Sequence, residues 1–292
     1  MIDSLFNCYC NYLDDDFLLQ FLRTKKYSNA AAFKLLENYL TAKVHYPRWF
    51  IYSDNDVLKM RELYTTGYIY PLLERDEDGR RIILIQVRKM DPTKYNSADI
   101  IRLSALIVTT LMEEHETQVA GFIAIIDYAE VSMKQISVFS ITDVRDHMDC
   151  IKNATVGRIK ACYSGKIKVL ESTLINTFNT KPYVFFLVNL PTYAHFLVEI
   201  AKKTASEKLR SRLIFPKDID ELKTLINPAL LPKEYGGTIP EEIMMAEFTK
   251  LVILNDDTLK RTMDIEIDVT KMPHHQATEV EVVGSFRKLE ID

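Results

Sequence analysis

Apolar residues over the first 70 positions recur at three- and four-residue steps. Phe17, Leu18, Phe21 and Leu22 share one face behind Asp14, Asp15 and Asp16, whose charge suits a helix N-terminus, and the face stops before Lys25 and Lys26. Ser28 or Asn29 opens a second helix with the stripe Phe33, Leu36, Leu40 and Val44, which Pro47 closes. A third, short helix is predicted over Val57 to Leu63, ending near Gly67. With no strand pattern among them, these segments read as a helical module.

The pattern changes at Asp78-Gly79, a turn pair leading into the near-continuous apolar run Arg81 to Val87, typical of a strand covered on both faces. Helical spacing returns over Ser97 to Glu116, through Ile100, Ile101, Leu103, Leu106, Ile107 and Leu111, and Ala120 to Ile126 is a second buried strand. Strand, helix and strand at this spacing form a βαβ unit. Further on, Tyr193 to Ala205 is an amphipathic helix, Leu213 to Phe215 a short strand, and Ile219 to Ile226 and Glu241 to about Met263 are helices. In the tail, Ile265, Ile267 and Val269 alternate with acidic residues and Pro273 to Gln276 is loop-like. The fold class is α/β.

Composition removes several chemistries. Glycine is 8 of 292 residues, and those eight form neither GxGxxG, GxxxxGK[ST] nor GxSxG. Dinucleotide-fold, P-loop and serine-hydrolase readings lose their support. Lysine and arginine number 37 against 41 acidic residues, a net charge of −4, so no global attraction to nucleic acid is expected. Four scattered cysteines and six dispersed histidines offer neither a disulfide framework nor a metal clamp, and Cys8-x-Cys10 has no second pair at finger spacing. His115-Glu116 lacks the HExxH partner because residue 119 is Val, and His45, His147 and His195 are read as surface or core residues. No cofactor, metal or catalysis is expected. The longest uncharged stretch, 182–198, is 17 residues, short of the roughly 20 that span a bilayer. With Asp3 and no basic leader at the start, a cytoplasmic protein is expected.

The order of segments resembles the CRAL-TRIO lipid-binding family, in particular its branch of tocopherol-transfer and retinaldehyde-binding proteins. The resemblance rests on Asp15 to Tyr27 and Ala31 to Tyr39, Asp78 to Ile85, Gly121 to Asp127, Leu187-Val-Asn-Leu-Pro191, Ser206 to Arg210, Leu231 to Gly237, and Gly284 to Leu289. It implies an N-terminal helical module over 1–70, a mixed-sheet α/β lipid-binding domain over 71–240, and a C-terminal helix and tail over 241–292. A pocket for one small hydrophobic molecule such as a tocopherol, retinoid or carotenoid is implied, with Ile123 and Ile125 on its sheet. The helix after the Asn-x-Pro turn is implied to be a mobile gate, with Phe196, Leu197 and Ile200 inward and His195 as a polar contact. The expected protein is a monomeric, non-enzymatic carrier that meets membranes transiently. The alternative is a phosphoinositide-dependent membrane adaptor with a vestigial pocket.

Charge distribution adds a partner. Residues 202–217 carry six basic side chains against Glu207, a local +5 that leaves the remainder at −9. Such a patch suits either solvation or anionic headgroups, each basic residue contributing about 1 kcal/mol at an anionic surface. The resemblance implies phosphoinositide binding by Lys208 and Arg212 together with Arg158 and Lys160. One departure bears on that site: Gly157 to Tyr163 and Leu187 to Pro191 look like halves of one strand, separated by residues 164–186. This insertion is expected to stand outside the functional fold, as a retained intron or gene-model error would. If it is real, Tyr183 to Asn189 replaces the original strand, Arg158 and Lys160 are displaced, and Lys181 partly substitutes for them.

Overall fold

The computed structural model describes residues 15–154, 183–205, 207–211 and 213–254. Four helices come first: α1 Asp15–Thr24, α2 Asn29–His45, α3 Pro47–Phe50 and α4 Asp54–Thr65. Asp15 and Asp16 occupy the first turn of α1, and Ser28 takes the cap position of α2. Pro47 ends α2 and serves as the first residue of α3, where its missing N–H costs no hydrogen bond. The fourth helix starts earlier than its apolar stripe because Ser53 and Asp56 form a capping box, with Ser53 N–H to Asp56 Oδ2 at 2.9 Å. Phe21, Leu35, Leu36 and Leu40 bury against one another and against Met112, so the helical module is fastened to the sheet domain.

The sheet has five strands in the order β1 Ile69–Pro71, β2 Arg81–Gln86, β3 Phe122–Asp127, β4 Tyr183–Val188 and β5 Leu213–Ile214. β1 runs antiparallel to β2 and the other pairs are parallel. β1 has only three residues, too few for a visible alternation. Helices α5 Ser97–Met112 and α6 His115–Ala120 connect β2 to β3. They replace the single helix expected over Ser97 to Glu116. The break is at Glu114, whose carboxylate is drawn to Arg81 Nε at 2.9 Å and Arg75 NH2 at 2.6 Å. Burial works to raise the Glu114 pKa, and the hydrogen bonds from Arg81 and Thr117 and the two arginine charges outweigh it, so the carboxyl lies below its ordinary range. At Gly121, φ 85° and ψ −158° fall in a region open essentially to glycine alone, which is why the strand begins at Phe122.

Helices α7 Met133–Ile136 and α8 Ile141–Ala154 follow β3, and α9 His195–Thr204, α10 Glu207–Arg210, α11 Ile219–Lys223 and α12 Glu241–Leu254 follow β4. β4 sits between β3 and β5, in the place expected of Tyr183 to Asn189. Gly157 to Tyr163 and the continuation of α12 toward Met263 lie outside the described residues. Both faces of the sheet are covered, which explains the continuous apolar strands. Ile69, Ile83 and Phe122 pack toward α4 and α5 through Met60, Leu63, Ile100, Leu103 and Ile107. Ile82, Leu84, Ile123, Ile125, Phe186 and Val188 pack the other way, on Leu222, Ile226, Leu231 and Met244.

Candidate functional site

The α5 side of the sheet is not packed solid. A cavity of about 430 Å³ lies there, within the roughly 300–1,000 Å³ typical of small-molecule sites. Its floor is one set of alternate strand positions: Ile83 and Ile85 of β2, Phe122, Ala124 and Ile126 of β3, and Phe185 and Leu187 of β4. Pairing places Ile83, Ala124, Phe185 and Leu213 in one row across the sheet. Alanine is the smallest of that row and leaves space above the centre of the floor. The roof comes from α5 (Ile101, Ala105, Val108), α8 (Val144, Met148, Ile151) and α9 (Val198, Ala201), with Phe17, Trp49 and Phe50 contributed by the helical module.

The wall is mostly apolar, with Tyr39 of α2, Tyr52 after α3, and His147 and Cys150 of α8 among its polar positions at the helical end, and Tyr68, Tyr128 and Gln135 lining it near the strands. Burial raises the pKa of Tyr39, with Tyr52 and Cys150 adding to the effect. Burial pushes Tyr52 up to about 12, against the opposing charge of Arg102, and Cys150 up to about 12, reinforced by Asp149. His147, edge-on to Trp49 at 5.9 Å between ring centroids, is pushed by burial down to about 4, with Asp143 opposing. All four are uncharged at neutral pH.

The imidazole sets an acid limit on stability. Unfolded, His147 takes a proton near pH 6.5, and folded only near pH 4. Between these values the unfolded chain binds the extra proton, so stability declines as pH falls from about 6.5 to about 4, by about 3 kcal/mol in total. Depressed carboxyls such as Glu114 and Glu241 act lower, their stabilisation being present above the ordinary carboxylate pKa of 4.5 and lost as pH falls through their folded values. Urea midpoints at pH 7 and pH 4.8 should therefore separate much further in the wild type than in His147→Gln. Equal separations would remove the histidine's role.

At the carboxyl ends of the strands a polar network ties the start of α9 to the rest. Asp127 accepts from Asn189 Nδ2 at 2.7 Å, from Tyr235 Oη at 2.7 Å and from the Ala129 N–H at 2.9 Å. Asn189 has φ 54°, the left-handed conformation that asparagine tolerates better than other side-chain-bearing residues. Tyr235 also reaches Gln86, whose amide donates to Glu241 Oε2 at 2.7 Å, and Glu241 pairs with Lys89. α9 itself packs on α8, and Tyr193 just before it donates to the Val131 carbonyl.

A cavity beneath a mixed sheet and a helix leaving an Asn-x-Pro turn give the chain a recognisable plan, and the model of the CRAL/TRIO domain matches residues 65–180 and 164–237. The chain belongs to the CRAL/TRIO domain family. The two matched stretches overlap over 164–180, within the segment read as an insertion. Among curated relatives of this CRAL/TRIO chain, Clavesin-1 of Xenopus laevis is 29% identical over 228 residues, covering 78% of the chain and 62% of the relative. Clavesin-2 of Homo sapiens is 26% identical, covering 78% and 63%. The chain thus matches less than two thirds of these relatives' length. A solved structure, Sfh5, aligns with a TM-score of 0.48 at 14% identity, over 83% of this chain and 82% of that one.

Within this CRAL/TRIO fold, the expected pocket residues fall in different places. Ile123 and Ile125 lie on the face of the sheet away from the cavity, and Phe122, Ala124 and Ile126 line it instead. A shift of one residue along a strand exchanges faces, and a run apolar on both faces carries no signal to choose between them. On α9, Phe196 is 49% exposed, His195 is exposed beside a shallow groove with Lys202 and Phe215, and Ile200 is half-buried outside the cavity. Val198 and Ala201 are the cavity-facing positions. The side chains of Leu197 and Lys208 lie outside what is described, as do Arg158, Lys160, Lys181 and Arg212. Trp49, Tyr39, Tyr52 and Cys150 were not foreseen, because helical spacing marks a buried face without saying whether protein or empty space lies against it. Among the described residues no cluster of His, Cys, Asp or Glu is arranged to hold a metal, and no helix is long and apolar enough to cross a membrane.

Proposed function

We propose that this CRAL/TRIO chain is a non-enzymatic, monomeric carrier that encloses one small hydrophobic lipid in the cavity above Ala124 and exchanges it at membranes, working in the cytoplasm. The observation that supports it most is the cavity itself: about 430 Å³, floored by one apolar face of the sheet and walled by three separate helical segments. Its burial of an apolar ligand supplies about 25 cal/mol per Å² removed from water. A space of this size favours a carrier over an adaptor with a vestigial pocket. α9 is the proposed gate, because Val198 and Ala201 face the cavity while Phe196, exposed, and Lys203 are available outside. Lys208 and Arg212, with Arg158, Lys160 or Lys181, are proposed to meet phosphoinositide headgroups, where arginine offers paired donors to phosphate oxygens.

Delipidated protein incubated with a total lipid extract, repurified and examined by native mass spectrometry should retain one lipid per chain. Protein recovered with none would reject the carrier. In the same preparation, Lys208→Glu/Arg212→Glu should keep that lipid and lose binding to phosphoinositide vesicles at low salt, where exposed charge is least screened. Unchanged vesicle binding would remove the two residues from the proposed headgroup site.

A further inference from the structure

A continuous run of side chains leads from the start of α12 to the turn that carries the proposed gate. Glu241, the first residue of α12, accepts from Gln86 Nε2 at 2.7 Å and from Tyr70 Oη at 3.2 Å, and pairs with Lys89. The Gln86 amide also donates to the Gly67 carbonyl at 3.1 Å. Both oxygens beside Nε2 only accept, so the amide has one orientation, and its Oε1 faces the Tyr235 hydroxyl 3.3 Å away. Tyr235 donates to Asp127 Oδ2 at 2.7 Å, and Asp127 Oδ1 accepts from Asn189 Nδ2 at 2.7 Å. Gln86, Asp127 and Tyr235 are all buried, so water competes little for these bonds. Asn189, at φ 54°, is where the chain leaves β4 and turns toward α9.

We infer that α12 is coupled to the gate, with Glu241, Gln86 and Tyr235 as positioning residues. Their bonds hold Asn189 and thereby keep α9 closed, and freeing the start of α12 lets α9 open more often. The inference rests on the carrier reading with α9 as its gate, and adds a control point outside the cavity. Neither these three residues nor Asp127 or Asn189 line the cavity, so their effect on exchange passes through the gate and not through contact with the ligand. Without Glu241, only the Gly67 carbonyl fixes Gln86 Nε2, and the restraint on Tyr235, Asp127 and Asn189 weakens in turn. Linkage is reciprocal: a ligand that holds α9 shut must tighten the start of α12 to the same degree.

Trp49 makes the test direct. It is the chain's single tryptophan, is fully buried and lines the cavity, so energy transfer to bound diphenylhexatriene quenches its emission. Protein loaded with this probe is mixed with excess phosphatidylcholine vesicles, and the return of Trp49 emission gives the release rate. Glu241→Ala and Gln86→Leu should each speed release about fivefold, the lower end of typical coupling between sites. The double variant should be no faster than the quicker single one, since both cut the same path. Tyr64→Phe removes the 2.8 Å bond to the Met245 carbonyl, which weakens the hold on α12 without touching the path, and should release at the wild-type rate. In the wild type itself, loading with the probe should raise hydrogen-exchange protection over residues 241–248. Wild-type release from either single path variant, multiplying effects in the double variant, equal acceleration by Tyr64→Phe, or unchanged protection on loading would each overturn the coupling and leave the carrier reading standing. Failure of the wild type to take up the probe would overturn the carrier reading and the coupling with it.

Discussion

Asp127→Ala is expected to lower stability by about 3 kcal/mol and the melting temperature by about 10 °C. The side chain accepts three hydrogen bonds, and all three donors lose their partner at once. A buried donor left without an acceptor costs about 1–3 kcal/mol. Tyr235 is the most deeply placed of the three, and it has one fallback in Gln86 Oε1 at 3.3 Å. Asn189 and the Ala129 N–H are half-buried and recover part of their loss from water. Asp127→Asn should cost about 1 kcal/mol, because an amide still accepts from Asn189 and Ala129 while Tyr235 turns its proton to Gln86. At roughly 2–4 °C per kcal/mol for a domain of this size, calorimetry resolves the two variants. The alanine variant should also lose hydrogen-exchange protection over residues 190–204, because Asn189 then holds its left-handed conformation without its anchor. An alanine variant as stable as wild type would mean that the network contributes nothing.

That network was only partly legible in the sequence. The Asn-x-Pro turn, Asp127 at the end of an apolar run and the Leu231 to Gly237 segment could each be picked out. Their meeting could not, because Asn189 and Asp127 are 62 positions apart and Tyr235 lies 108 positions from Asp127. Helix starts are set by local devices spanning three residues, Ser53 with Asp56 and Asn96 with Asp99, yet apolar spacing alone places the first of these helices at Val57, beyond its capping box. The break between α5 and α6 escaped notice because its cause, the pull of Arg75 and Arg81 on Glu114, is tertiary. For the candidate site, the apolar strands predicted a covered sheet but said nothing about which cover leaves a void. The polar positions of the cavity wall escaped as well, since Tyr39, Tyr52 and His147 look individually like ordinary core residues.

Two substitutions one residue apart in β3 are expected to separate binding from stability. Ala124 stands in the centre of the floor with Ile83 and Phe185 as its paired neighbours. In Ala124→Phe the ring projects into a space that is already empty, so it meets little of the overpacking penalty of about 1–3 kcal/mol that a filled core imposes. It occupies much of the volume a ligand needs. Ligand affinity should fall by at least a hundredfold while the urea midpoint stays close to wild type. Ile123→Ala should behave in the opposite way. Its side chain points into the packed layer with Ile82, Phe186 and Leu222, where removing it leaves a cavity that costs about 2–5 kcal/mol. Ligand affinity per folded molecule should change by less than about threefold, since no atom of Ile123 lines the site. Titrations followed by Trp49 emission, with stability measured on the same samples, give both quantities. If Ile123→Ala abolished binding and Ala124→Phe left it intact, the ligand would occupy the other face of the sheet. A strand has two faces and the sequence names neither, so this pair of neighbours decides which one carries the function.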